Sequence, residues 1–248
     1  MKLIRCTTIE KFNRYINERS SYDSEQDLIK SITGEFQGNS YTYIGTAFHR
    51  IVEGNYEGIT KVGKTTVQRK FNRKMIDVEL PEGRKFDIDG HDVFLDVHQC
   101  KIALDYKEEM PLAAHEIREF IEMEDVMITG AADIVDGLEI HDIKTKFSPV
   151  EDNDYIESFQ WKLYCEMFGC ERFIFDLFVF EGYDKDKHGT DVRGLPLTRY
   201  SPPINCYAYS GMYEDNRYMV REFIKWAKFR GLYDGLPEYN EENIKNLH

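Results

Sequence analysis

The chain has 248 residues, 42% of them hydrophobic and 31% charged, which is the composition of one large globular domain. Its 32 Lys and Arg against 45 Asp and Glu leave a net charge of −13, which excludes a coat held to nucleic acid by positive charge alone. No apolar run reaches membrane-spanning length, and the opening MKLIRCTTIEKFN has no signal-peptide core. Cys6, Cys100, Cys165, Cys170 and Cys206 form no CxxC pair, so reduced thiols in a cytoplasmic protein are expected.

In chain order, residues 8–33 predict one or two helices broken near Ser20-Ser21, within an N-terminal helical segment of about residues 1–44. Residues 34–44 read as a Gly-, Ser- and Tyr-rich connector. YIGTAFHRIVEG then predicts a helix capped by Thr46 and stopped at Gly54. His49 and Glu53, four apart, share a face of it. KVGKTTVQRKFNRK, residues 61–74, carries six Lys or Arg and no acid. Within it Lys64, Lys70 and Arg73 are candidates for gripping phosphates, contacts that position a strand without reading its bases. The rest of residues 59–110 predicts a mixture of strands and a helix.

From residue 115 three successive strands are expected. SPVEDNDYIESFQWKLYCEMFG then predicts one helix, with Asp154 and Glu157 as a capping box and Ile156, Phe159, Leu163 and Met167 as the buried stripe. RFIFDLFVFE, apolar on both faces, reads as a central strand. Residues 181–205 read as a mobile loop, and a helix over about residues 212–232 closes the chain. Helices, then strands, then helix, strand and helix predict a single α/β (α+β) domain over residues 1–248, with a mixed central β-sheet flanked by helices.

The chemistry concentrates in TGAADIVDGLEIHDIKTK, residues 129–146. With Asp136-Gly137 as a two-residue hairpin turn, Asp133 faces Ile140 and Ala131 faces Asp142. Asp133, Asp142 and Lys144 then point to one side, with the two acids as diagonal neighbours roughly 7–8 Å apart. Acids so placed can share one cation, and the lysine can offset charge growing on a phosphate. Gln160 and Tyr164, also four apart, are candidates for polar contact with a substrate strand. Each motif alone also fits a surface ion pair or ordinary packing.

The ordered set Gly45 to His49, Asp133, Asp142-Ile143-Lys144-Thr145, and Gln160 to Tyr164 resembles the PD-(D/E)XK nuclease superfamily in its RecB-like and phage-exonuclease branch. The resemblance spans residues 45–168 at its anchors. It implies a restriction-endonuclease-like core. It further implies a metal held by His49, Asp133, Asp142 and the Ile143 carbonyl, with Asp133, Asp142 and Lys144 as catalytic residues and Gln160 and Tyr164 on the substrate. Glu116 or Glu119 could add a carboxylate. The metal expected is Mg2+ or Mn2+, manganese being well suited by an imidazole ligand. No iron–sulfur cluster is expected, since Cys206 is the only cysteine among the last seventy residues. The implied activity is a DNA exonuclease of phage or bacterial recombination and repair, in bacterial or infected-host cytoplasm. Its partners would be DNA ends or single strands and, by analogy with phage recombination pairs, a single-strand annealing protein. No membrane partner is expected, and the oligomeric state is open. The alternatives are an endonuclease or single-strand-specific nuclease of the same fold, and a non-catalytic binding module on a degenerate one.

Overall fold

The computed structural model describes residues 1–19, 23–34, 38–71 and 74–245, leaving aside the side chains of residues 70 and 71. It begins with β1 (Lys2–Arg5), α1 (Cys6–Ile16), α2 (Glu25–Thr33) and α3 (Ser40–Glu53). Five strands follow, β2 (Thr60–Val62), β3 (Thr65–Phe71), β4 (Lys74–Leu80), β5 (Gly83–Ile88) and β6 (His91–Asp96), and then α4 (Val97–Glu109). The middle holds β7 (Ala114–Met123), β8 (Val126–Asp136), β9 (Glu139–Lys146), α5 (Asn153–Ile156), α6 (Gln160–Phe168) and β10 (Arg172–Phe180). The chain closes with α7 (Lys185–His188), β11 (Leu197–Arg199), β12 (Ile204–Tyr207), α8 (Met212–Phe229) and α9 (Glu241–Lys245).

The main sheet joins seven of these strands and is mixed, as expected. β10 has parallel β9 on one edge, while antiparallel β12 and β11 divide the other. The alternation of RFIFDLFVF explains its place. Phe173, Phe175 and Leu177 face a core shared with Ile9 and Phe12 of α1, Leu163 of α6 and Phe223 of α8. Phe178 and Phe180 face a second core with Ile44 and Phe48 of α3 and Tyr106 of α4. Each such ring contributes roughly 1.5–3 kcal/mol by burial, so both faces of the strand are anchored. β2, β5 and β6 form a separate sheet, and β3 and β4 form a two-stranded ribbon.

β8 carries β7 along one edge, but its other edge is divided. Parallel β1 pairs with Val126 to Thr129, and antiparallel β9 pairs only with Ile134, Val135 and Asp136. Between these pairings the sheet forks, and the fork holds the chemistry.

Several expectations need correction. β1 was not foreseen. The connector over residues 34–44 gives way at Ser40 to helix α3, which is capped by Asn39 in a box with Thr42; Thr46 lies inside the helix and donates to the Thr42 carbonyl. Gly54 does stop that helix, at φ +80. The single helix expected after residue 148 is two, because Glu10 of α1 and Ser158 accept from the Gln160 amide and Glu10 also accepts from that of Phe159. The break turns Ile156 outward, and Tyr155, Phe159 and Leu163 are buried in its place. Residues 181–205 are not a mobile loop. They contain α7, β11 and part of β12, and are tied to α4 by Gln99 Nε2, which donates to the Val192 and Leu195 carbonyls at 2.8 Å each.

Candidate functional site

The hairpin turns one residue later than the sequence suggests. Asp136 pairs with Glu139, so Gly137 and Leu138 form the loop, with Gly137 at φ +61. The face of each side chain is unchanged, because the register shift moves both strands together. The relation between the acids does change. Continuing the register beyond the Ile134–His141 pair sets Asp133 directly opposite Asp142 rather than diagonal to it.

At that point the ladder opens. The Ile143 amide donates to Asp133 Oδ2 at 2.7 Å, so a side chain replaces the backbone acceptor. Asp142 is 4% exposed and is held from two sides. Gln160 Nε2 donates to its Oδ1 at 3.3 Å, and Lys144 Nζ lies 2.6 Å from its Oδ2. Burial raises the Asp142 carboxyl to about 6, with Asp133 adding repulsion and Lys144 opposing both. Burial alone would lower Lys144, but Asp142 and Asp133 outweigh it and hold the ammonium above its usual range.

His49 reaches the fork from α3. Its Nε2 lies 3.0 Å from the Ile143 carbonyl oxygen, and its Nδ1 lies 3.7 Å from Asp133 Oδ1. The helix can come this close because residue 45 is glycine: a Cβ there would meet Thr145 Oγ1 at 3.0 Å. A cavity of about 500 Å³ runs along this seam, lined by Gly45, His49, Glu53, Ile143, Lys144 and Thr145 among others. Tyr164 supports the fork from behind. It is 3% exposed, its hydroxyl donates to the Ala131 carbonyl at 2.9 Å, and its ring fills the space a Cβ on Gly130 would need.

The acidic cluster extends further than the expected set. His49, Glu53 and Glu116 offer ligand atoms all within 4.8 Å of one another, an arrangement able to hold a metal ion. In the β7–β8 register Glu116 falls opposite Asp133, and its backbone is left-handed at φ +51, an uncommon state for glutamate. Although solvent still reaches it, partial burial, the charges of Asp133 and Glu53 and a hydrogen bond to Glu53 push Glu116 up to about 7. These acids repel one another as they stand, and a hard divalent cation is the group their oxygen and imidazole donors fit.

The fork therefore gathers His49, Asp133, Asp142, the Ile143 carbonyl, Lys144 and Gln160. Tyr164 stands behind it with a buried hydroxyl. Lys64 lies between β2 and β3 and does not line the cavity; Lys70 is on β3, with its side chain outside the described ones, and Arg73 falls outside the described residues. Sequence reasoning missed Glu10, which fixes the start of α6 and hence Gln160. Its partners are 149 and 150 residues away, so no local signal could reveal it.

No protein-family model matches the chain, and no curated protein matches it. Among solved structures, the chain is similar to that of SSO0001 at 15% identity and a TM-score of 0.40, over 91% of this chain and 76% of that one. It is also similar to a protein from Eubacterium rectale described as a "putative exonuclease", at 11% identity and a TM-score of 0.47, over 96% of this chain and 83% of that one.

Proposed function

We propose that the chain is a divalent-metal-dependent nuclease that hydrolyses phosphodiester bonds of DNA, acting as an exonuclease on DNA ends in phage or bacterial recombination and repair. The observation that carries this reading is the fork itself: Asp133 accepting from the Ile143 amide, Lys144 2.6 Å from Asp142, and His49 beside the Ile143 carbonyl.

His49, Asp133, Asp142 and the Ile143 carbonyl would hold the ion, with Glu53 and Glu116 adjoining. When bound, a divalent ion supplies Lewis-acid polarisation of a phosphate oxygen and a water of lowered pKa. The protein's own groups do the rest. Asp142 and Asp133 hold the Lys144 ammonium above its usual range, which suits it to act as a positive charge and donor for a phosphate oxygen or the attacking water. Gln160 holds Asp142 by the oxygen that Lys144 does not contact, and the Ile143 amide holds Asp133. Both acids are therefore set before substrate arrives, which reduces reorganisation during the reaction.

The test is a digest of end-labelled linear DNA beside a closed circle, in manganese, magnesium or chelator. Loss of the linear form alone, dependent on metal, is expected. Cutting of the circle would replace the exonuclease by an endonuclease. No cleavage of either DNA by folded, metal-loaded protein would refute the reading.

A further inference from the structure

A second cavity, of about 460 Å³, lies between α1, the break before α6, and α8. Its lining includes Asn13, Arg19, Glu157, Phe159, Lys162 and Tyr218. Three of its buried donor atoms have no partner among the described residues: Asn13 Nδ2, Arg19 Nε and Arg19 Nη1. Asn13 is 3% exposed, and its amide is oriented because its Oδ1 accepts from Asn17 Nδ2 at 2.9 Å. Nδ2 is left as a pure donor. An unpaired buried donor is costly, and an acceptor in the cavity removes that cost.

Two cations line the cavity beside these donors. Arg19 is anchored by its third nitrogen, which donates to the Glu157 carbonyl. Lys162 brings a second cation, held 5.0 Å from the Phe159 ring centre and 5.4 Å from that of Tyr209. Burial lowers its pKa, so an anionic partner would relieve a real desolvation cost. Two acids of the same lining pair loosely with these cations. Glu157 and Asp215 have exposed side chains and sit 3.8 Å from Arg19 and 3.9 Å from Lys162, and Glu10 is already engaged by the amides of Phe159 and Gln160.

We propose that this cavity binds a phosphate ester, with Asn13 and Arg19 donating to its oxygens and Lys162 balancing its charge. The choice of phosphate over another oxyanion rests on the nuclease reading, because α6 links the two sites. Gln160 holds the catalytic acid, and Lys162, two residues on, lines this cavity. The volume suits one nucleotide, and the exposed ring of Tyr218 at the lining offers a face for a base. The phosphate comes either from the DNA strand beyond the cut or from a free mononucleotide.

The test is calorimetric titration of the full chain, in chelator, with inorganic phosphate and with a deoxynucleoside monophosphate, alongside KM for linear DNA in manganese. Asn13→Asp keeps the acceptor for Asn17 and gives Arg19 a carboxylate, so the fold should survive while the anion is repelled. Lys162→Met keeps the packing and removes the charge. At least tenfold weaker monophosphate binding in both variants, with Lys144→Ala binding as the wild type does, identifies a free-nucleotide site. A tenfold or greater rise in KM for DNA in both, without monophosphate binding by any protein, identifies the strand. Equal binding by all proteins, or no binding together with unchanged KM, overturns the proposal. Monophosphate binding that responds to both variants in a protein that cuts no DNA would leave the pocket standing and remove the nuclease reading.

Discussion

Glu116 combines two features that seldom coincide without a reason: a left-handed backbone at φ +51 and a carboxyl pushed up to about 7. For a residue with a Cβ, the left-handed state costs roughly 1–2 kcal/mol. Strain of that kind persists where the surroundings fix it, and here it brings a second carboxylate to His49 and Glu53. Glu116→Gly should therefore leave the melting temperature of the chelated protein unchanged or higher, while manganese affinity falls about 10–100-fold, as for other groups that orient or supply ligands. Calorimetry with manganese beside thermal unfolding reads both numbers, and undiminished affinity would remove Glu116 from the site. The sequence carried the residue type and its strand but not the turn of its backbone, so Glu116 stood there as one of two candidates with nothing to separate it from Glu119.

Among the elements, the junction of α1 with α6 decides where Gln160 points. The Glu10 carboxylate accepts the Phe159 and Gln160 amides at a helix start that has no side-chain cap of its own. Glu10→Ala should cost about 1–2 kcal/mol in urea unfolding, the usual loss when a helix start is stripped of its acceptor. It should also slow DNA cleavage, since Gln160 loses its fixed origin. Glu10→Gln retains an oxygen acceptor and should recover most of the stability; an Ala variant as stable as wild type would show that the cap is idle. The same junction explains a misreading. Local periodicity through Ile156, Phe159 and Leu163 predicts one helix, but a contact from 150 residues upstream breaks it. The hairpin was more legible. Asp136-Gly137 misplaces the loop by one residue, yet strand alternation with period two still puts Asp133, Asp142 and Lys144 on one face. What local pattern could not supply was the fork, because it depends on β1 taking half of one edge of β8.

For the whole molecule, the two faces of the sheet divide the work. Asp142 and Lys144 look toward α1 and α6, while His141 and Asp176 look toward α4. Asp176 is fully buried and accepts from His141 Nδ1 at 2.8 Å, Tyr106 Oη at 2.9 Å and Arg199 Nη2 at 2.7 Å. Burial alone would raise its pKa, but the bonds from His141 and Arg199 outweigh that and hold it below the ordinary carboxylate range. A depressed folded pKa contributes stability that is complete above the unfolded carboxylate value of about 3.9 and is lost as pH falls toward the folded value. Stability should therefore be level in this respect at neutral pH and fall in acid below about pH 4. Asp176→Asn should cost about 1–3 kcal/mol at pH 7, by weakening the buried hydrogen bonds and leaving Arg199 with Glu109 alone, and should flatten the acid limb of the unfolding profile. An unchanged acid limb would mean that the network is not what ties the sheet to α4. The mixed sheet and its central strand were readable from the apolar alternation of residues 172–180. The place of β1 in the sheet was not, because its pairing with β8, more than a hundred residues on, leaves no periodic trace.

The central claim is that the fork cleaves phosphodiester bonds with Lys144 as its fixed cation, and the most direct measurement compares wild type with Lys144→Ala. End-labelled linear DNA is digested in manganese, after calorimetry has shown that both proteins bind the ion and melt alike. The account predicts metal-dependent cleavage by the wild type and a loss of at least about 100-fold in the variant, the scale of removing one charge-stabilising donor. Cleavage by Lys144→Ala at the wild-type rate would contradict it.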